Sequence, residues 1–148
     1  MKMFVGVGAL AILLVACGQD SSTSSAPPAA GAPTTSASAT PPADVLPAAQ
    51  AYVDAVARRD LEGLVNAFHP DGRIVDVSRT IAGHDAIRTW ARNEVIGGTL
   101  QVLKIVERRP DGQKLLVHWA PAGSDGWRAH YDFTVRGERV SVAELQYA

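Results

Sequence analysis

Residues 21–43, "SSTSSAPPAAGAPTTSASATPPA", hold only Ser, Thr, Ala, Pro and Gly. With no charge and no large apolar side chain, this run cannot bury enough surface to offset the entropy of ordering its backbone. It reads as a tether, with a reach of about 25–30 Å as a flexible chain and more where its prolines stiffen it. What folds must therefore come from the roughly 105 residues that follow, from Asp44 to Ala148, enough for one hydrophobic core and one domain.

Ahead of the tether stands "MKMFVGVGALAILLVAC", one lysine followed by an uncharged apolar run from Phe4 to Val15. That run is shorter than the roughly 20 residues needed to span a bilayer. It has the proportions of a secretory signal segment. Cys17 is the one cysteine of the chain, so no internal disulfide can form. Nor does the surrounding sequence supply the folded, electropositive setting of a reactive thiolate. Leu14, Val15, Ala16 and Cys17 resemble the lipobox of bacterial lipoproteins, in which cleavage falls just before a cysteine that then carries lipid. The resemblance implies a signal peptide at 1–16, a lipidated Cys17 with its tether at 17–43, and a folded domain at 44–148. It also implies a place in the cell envelope, on the extracytoplasmic side of the membrane. Acyl chains bring ~0.8 kcal/mol per buried methylene, so two or three of them make attachment effectively permanent.

The chain has 14 basic and 15 acidic residues, a net charge of −1. That balance excludes the strongly basic surface on which nucleic-acid binding depends. Within the domain the first half reads helical. Leu46, Ala49, Val53 and Val56 recur on one face; Leu61, Leu64, Val65 and Phe68 form a second stripe after Asp60, a candidate N-cap. "HPDG" at 69–72 has turn chemistry, "RIVDVS" reads as a strand, and "HDAIRTWARNE" as a third helix. The second half reads as a meander of four strands, "TLQVLKIVE", "KLLVHWA", "WRAHYDFTV" and "RVSVAELQY", separated by Gly and Pro punctuation. Short hairpin connections predict an antiparallel, twisted sheet, and the class is α+β.

With "AAQAYVDAVARRDLEGLVNAFHPDGRIVD", "IAGHDAIRTWARNEV" and a last strand ending "LQYA", residues 46–148 resemble the SnoaL-like, nuclear transport factor 2-like superfamily. The resemblance implies a cone, in which a curved antiparallel sheet wraps three N-terminal helices and leaves a pocket at the open end. Steroid-isomerase-like members use an Asp base with a Tyr and a protonated acid; epoxide-hydrolase-like members use Asp, Arg and Asp around a water. Neither set maps cleanly onto this sequence.

Alternation in the strands assigns faces. Trp127, Ala129, Tyr131, Phe133 and Val135 should face the helices, whereas Arg128, His130, Asp132 and Thr134 face outward. Trp119 belongs inside and His118 outside. His118, His130 and Asp132 could form a catalytic or metal-binding group, but the outward parity argues for solvent or a partner subunit, and no metal site or cofactor is expected. The pocket candidates are Asp76, Trp90, Glu94, Trp119, Tyr131 and Glu144. Asp76 could project into the pocket or pair with Arg79 or Arg73. Glu94 shares a helical face with Ile87 and Trp90, and Glu144 shares parity with Val140 and Val142.

The leading reading is a non-catalytic, membrane-anchored domain that binds a small apolar ligand or a protein partner, its aromatics favouring a flat molecule. The alternative is an enzyme that uses pocket carboxylates for proton transfer or hydrolysis on a hydrophobic substrate, as an isomerase, cyclase or epoxide hydrolase would. A third is homodimerisation through the outer sheet face, made pH-dependent by His118 and His130.

Overall fold

Residues 42–148 are described in the structure, a computed structural model. The expected signal peptide, Cys17 and nearly all of the tether lie outside the described residues. The domain opens on α1 (Pro47–Arg58), where a proline in the first turn loses no hydrogen bond and presets the backbone. α1 buries Ala49, Tyr52, Val53 and Val56, and so follows the predicted stripe. It ends at Arg59 in a left-handed conformation, φ 57°.

Next comes α2 (Leu61–Asn66), capped as expected: the Asp60 carboxylate accepts from the Gly63 N–H at 2.8 Å. Replacing a side-chain cap by alanine costs about 1 kcal/mol. Asp60→Ala should therefore lower the unfolding free energy measured in urea by about 1 kcal/mol, while Asp60→Asn, which keeps an acceptor, should leave it nearly in place. α3 (His84–Trp90) continues into a π-helical turn, Ala91–Val95, where a single regular helix was expected. Wider turns of this kind often sit beside functional sites.

The strands are β1 (Phe68–Asp76), β2 (Arg79–Ala82), β3 (Thr99–Arg109), β4 (Gly112–Ala120), β5 (Trp127–Arg136) and β6 (Arg139–Tyr147). They form one curved six-stranded sheet in the order β2-β1-β6-β5-β4-β3. The predicted meander supplies β3 to β6, and the expected strand at "RIVDVS" joins it as β1. The pairing differs from expectation at one place: β1 runs parallel to β6, whereas every other neighbouring pair is antiparallel. The last strand of the meander docks beside a strand that precedes it in the chain, and both run in the same direction. The "HPDG" segment also differs, since it lies within β1 rather than in a separate turn. Phe68 opposes Val140 and Arg73 opposes Val142, so residues 69–72 bulge out opposite Ser141 alone.

The helices fill the concave face of the sheet. Tyr52 of α1 stands edge-on to Phe68 and Tyr131, at ring-centroid distances of 6.0 and 6.2 Å, and 5.6 Å from Phe133. Offset and edge-on aromatic pairs of this kind add to what area burial alone contributes. The one buried polar side chain among the described residues is Gln113 on β4. Its Oε1 accepts from the Leu46 N–H at 2.9 Å, and its Nε2 donates to the Asp44 carbonyl at 3.0 Å. Leu46 has no side chain able to cap α1, so Gln113 does that work from across the domain. The chain thus joins the domain beside the β3–β4 hairpin.

Candidate functional site

At the other end of the sheet, where β1, β4 and β6 finish and β5 begins, the strands and the π-helical turn enclose a cavity of about 420 Å³. Trp119 comes from β4, Trp127 and Tyr131 from β5 and Tyr147 from β6, while Trp90 closes the helical side. All three tryptophans of the chain therefore meet at one place. Trp90, Trp119 and Tyr131 are buried, at 7, 8 and 5% exposure. Trp127 and Tyr147 form the outer rim with ring centroids 5.8 Å apart. Beside them Val77 stands 46% exposed, in a left-handed conformation (φ 57°) that a β-branched residue rarely adopts. It lies in the two-residue turn between β1 and β2.

That turn sets the electrostatics. Asp76 and Arg79 flank it as directly opposed residues of an antiparallel pair. The Arg79 guanidinium donates to Asp76 Oδ2 at 2.6 Å and reaches over to the π-helical turn, where it donates to both oxygens of Glu94 at 2.9 and 2.6 Å. Arg79 is held more firmly protonated by these bonds, Glu94 contributing most. One guanidinium thus ties two cavity carboxylates together. Both alternatives for Asp76, projection into the pocket and pairing with Arg79, hold at once.

Deeper in, burial pushes the Tyr131 phenol well above its usual range, and the charge on Asp76 adds to the effect. The Tyr52 phenol is likewise raised by burial, then by Tyr131 and Asp76. Both hydroxyls therefore remain protonated donors. The Trp90 indole N–H is buried and has no acceptor among the described residues. An orphaned buried donor costs about 1–3 kcal/mol.

Five of the six pocket candidates, Asp76, Trp90, Glu94, Trp119 and Tyr131, therefore surround one cavity. Glu144 does not, and its expected position is corrected: it is exposed on the outer face, opposite Asp132. The physical reason is a bulge. Val135 opposes Val140 and Thr134 opposes Val142, so Ser141 is an extra residue in β6 and reverses the parity of everything after it. Trp127 and Tyr147 were not among the candidates, although the alternation that places Tyr131 inside also places Trp127 there. The outward assignment of His118, His130 and Asp132 agrees with their partial exposure, and Asp132 pairs with Arg109 at 2.5 Å. Among the described residues no cluster of three or more His, Cys, Asp or Glu side chains is arranged to hold a metal ion.

Residues 49–145 match the SnoaL-like domain family. The chain belongs to that family. Several solved structures share the fold of this SnoaL-like domain. A Sinorhizobium meliloti protein assigned as a candidate polyketide cyclase is 20% identical, with a TM-score of 0.61 over 70% of this chain and 96% of its own. The Mycobacterium tuberculosis protein RV0760c, in complex with estradiol-17β-hemisuccinate, is 15% identical, with a TM-score of 0.61 over 68% of this chain and 91% of its own. TerC, co-crystallised with polyporic acid, is 18% identical, with a TM-score of 0.59 over 68% of this chain and 88% of its own. At these identities the likeness establishes the SnoaL-like fold. Among curated protein sequences none matches the chain.

Proposed function

We propose that the SnoaL-like domain binds a small, flat, largely apolar molecule without transforming it, and that residues 1–43 hold the domain at the outer side of a membrane through lipid on Cys17. The observation that carries the binding half is the cavity itself, lined by five aromatic side chains. A pocket of this size with a few placed polar groups is the usual form of a small-molecule site. Support also comes from fold relatives bound to estradiol-17β-hemisuccinate and to polyporic acid, both small molecules with extensive apolar rings. Anchoring is supported by the lipobox-like residues 14–17 and the tether that follows.

The catalytic alternative draws on Asp76, near enough to Tyr131 to raise its phenol. A carboxylate base beside a protonated hydroxyl is a workable pair. Against it, Arg79 takes both oxygens of Glu94 as well as Oδ2 of Asp76, which leaves no second free carboxylate among the described residues of the cavity to complete an acid–base pair.

Native mass spectrometry of the full-length protein, expressed with its own N-terminus, tests both halves. The expected result is an acylated species, lost in Cys17→Ala along with incorporation of labelled palmitate, and a co-purifying small molecule. Titration with estradiol should quench tryptophan fluorescence saturably. Removing the rim contact in Trp127→Ala should then weaken binding about tenfold, the loss of 1–2 kcal/mol of aromatic contact. A full-length protein that carries no bound molecule and shows no saturable quenching would sink the binding reading.

A further inference from the structure

The charge around the cavity is one-sided. Asp76 and Glu94 line it, and among the described residues no lysine, arginine or histidine does. Arg79 is the cation that bonds them, but it lines the adjoining surface groove rather than the cavity. Two carboxylates facing one guanidinium leave one net negative charge at the mouth. No full positive charge inside offsets it: Tyr131 is neutral, and among the described residues Arg79 bonds Asp76 through Oδ2 alone.

Around that charge stand the rings of Trp90, Trp119, Trp127, Tyr131 and Tyr147. Aromatic rings present a negative face, to which a positively charged group is drawn, most strongly where water is excluded. An anionic ligand would meet repulsion from Asp76 and Glu94, and a neutral one would gain only from apolar contact. A cation gains from both the rings and the carboxylates.

We propose that the preferred ligand is an organic cation, an aromatic or branched alkyl ammonium whose charged head lies between the aromatic wall and the Asp76–Glu94 pair. This rests on the binding reading above and narrows it to a chemical class. Glu94 acts as a specificity determinant, held in place by Arg79 and presented to the mouth by the π-helical turn.

Full-length protein is titrated with benzyltrimethylammonium, with its uncharged carbon isostere neopentylbenzene, and with phenylacetate, each followed by tryptophan fluorescence. The cation should bind at least about tenfold more tightly than the isostere, as desolvated cation–π contacts and a nearby carboxylate predict, and phenylacetate should bind weakest. Glu94→Gln should weaken the cation about fivefold and the isostere much less, because the amide keeps the side-chain size, loses the charge and gives up one of the two acceptors that Arg79 holds. An isostere that binds as tightly as the cation overturns the charge preference and leaves the pocket a plain apolar site. An unchanged cation affinity in Glu94→Gln also overturns it. Should Glu94→Gln fail to fold, the comparison of cation and isostere on the wild-type protein decides alone. If neither probe binds and no molecule co-purifies, both this inference and the binding reading fall.

Discussion

Phe133→Ala should lower the stability of the domain by about 3–5 kcal/mol, the range found when a buried phenylalanine is truncated. Phe133 has no exposed surface and sits where three rings converge, beside Tyr52 at 5.6 Å and Tyr131 at 6.3 Å. The aromatics hold one another between sheet and helix, so the void cannot be closed by one neighbour turning inward. At roughly 4–8 °C per kcal/mol for a domain near this size, the melting temperature should fall by about 12–40 °C. Phe133→Leu, which keeps most of the volume, should cost about 1.5 kcal/mol or less. Differential scanning calorimetry of the three proteins checks this. Equal losses for Ala and Leu would mean that ring geometry matters more than filled volume.

The second large effect is expected at Gly126, immediately before Trp127. Its φ is +74°, in the left-handed region, and a Cβ there would lie 2.2 Å from the Trp119 carbonyl oxygen and 2.7 Å from Ala120 Cα. Both obstacles are backbone and cannot swing aside. Gly126→Ala should therefore cost roughly 3–5 kcal/mol, combining left-handed strain with overpacking. Gly137, in the β5–β6 turn, is the matched control: its φ is +63°, but a Cβ added there would meet no atom within 4 Å. Gly137→Ala carries strain alone and should cost about 1 kcal/mol. Chemical denaturation of both variants separates the two contributions. If they lose the same stability, the close approach of Gly126 to β4 is not what constrains it. Because Trp119 and Trp127 oppose each other across this contact, Gly126→Ala should also change the tryptophan emission of the folded protein.

Much of this architecture was legible because it rests on local rules. The stripe of α1, the Asp60 cap, the hairpin turns and the inward parity of Trp119, Ala129 and Tyr131 all follow from periods of 3.6 and 2. What was not legible depends on pairing across the sheet. Counting alternate residues from Val140 puts Glu144 inside, yet the extra residue at Ser141 turns it out. Nothing within "RVSVAEL" announces that bulge, because it arises where β6 meets the widened β1. The parallel β1–β6 contact is invisible for the same reason, since it joins segments about seventy residues apart. Asp76 and Glu94 were individually readable as polar residues near apolar ones. That Arg79 joins them is a product of the tight β1–β2 turn facing the π-helical segment, and helical periodicity cannot anticipate a turn of different pitch.

The placement of β1 next to β6 also governs when the molecule can come together. Phe68 meets Val140, and Ile74 to Asp76 meet Ala143 to Leu145, so early residues must wait for the nine residues of β6 before the layer closes. A nascent chain can make its helices and its successive hairpins as each emerges, but Asp76 stays out of place until β6 is free to dock. Such distant partners slow the search for the native state. Loss of β6 alone would leave β1 and β2 as an isolated ribbon, with the aromatic hollow never assembled.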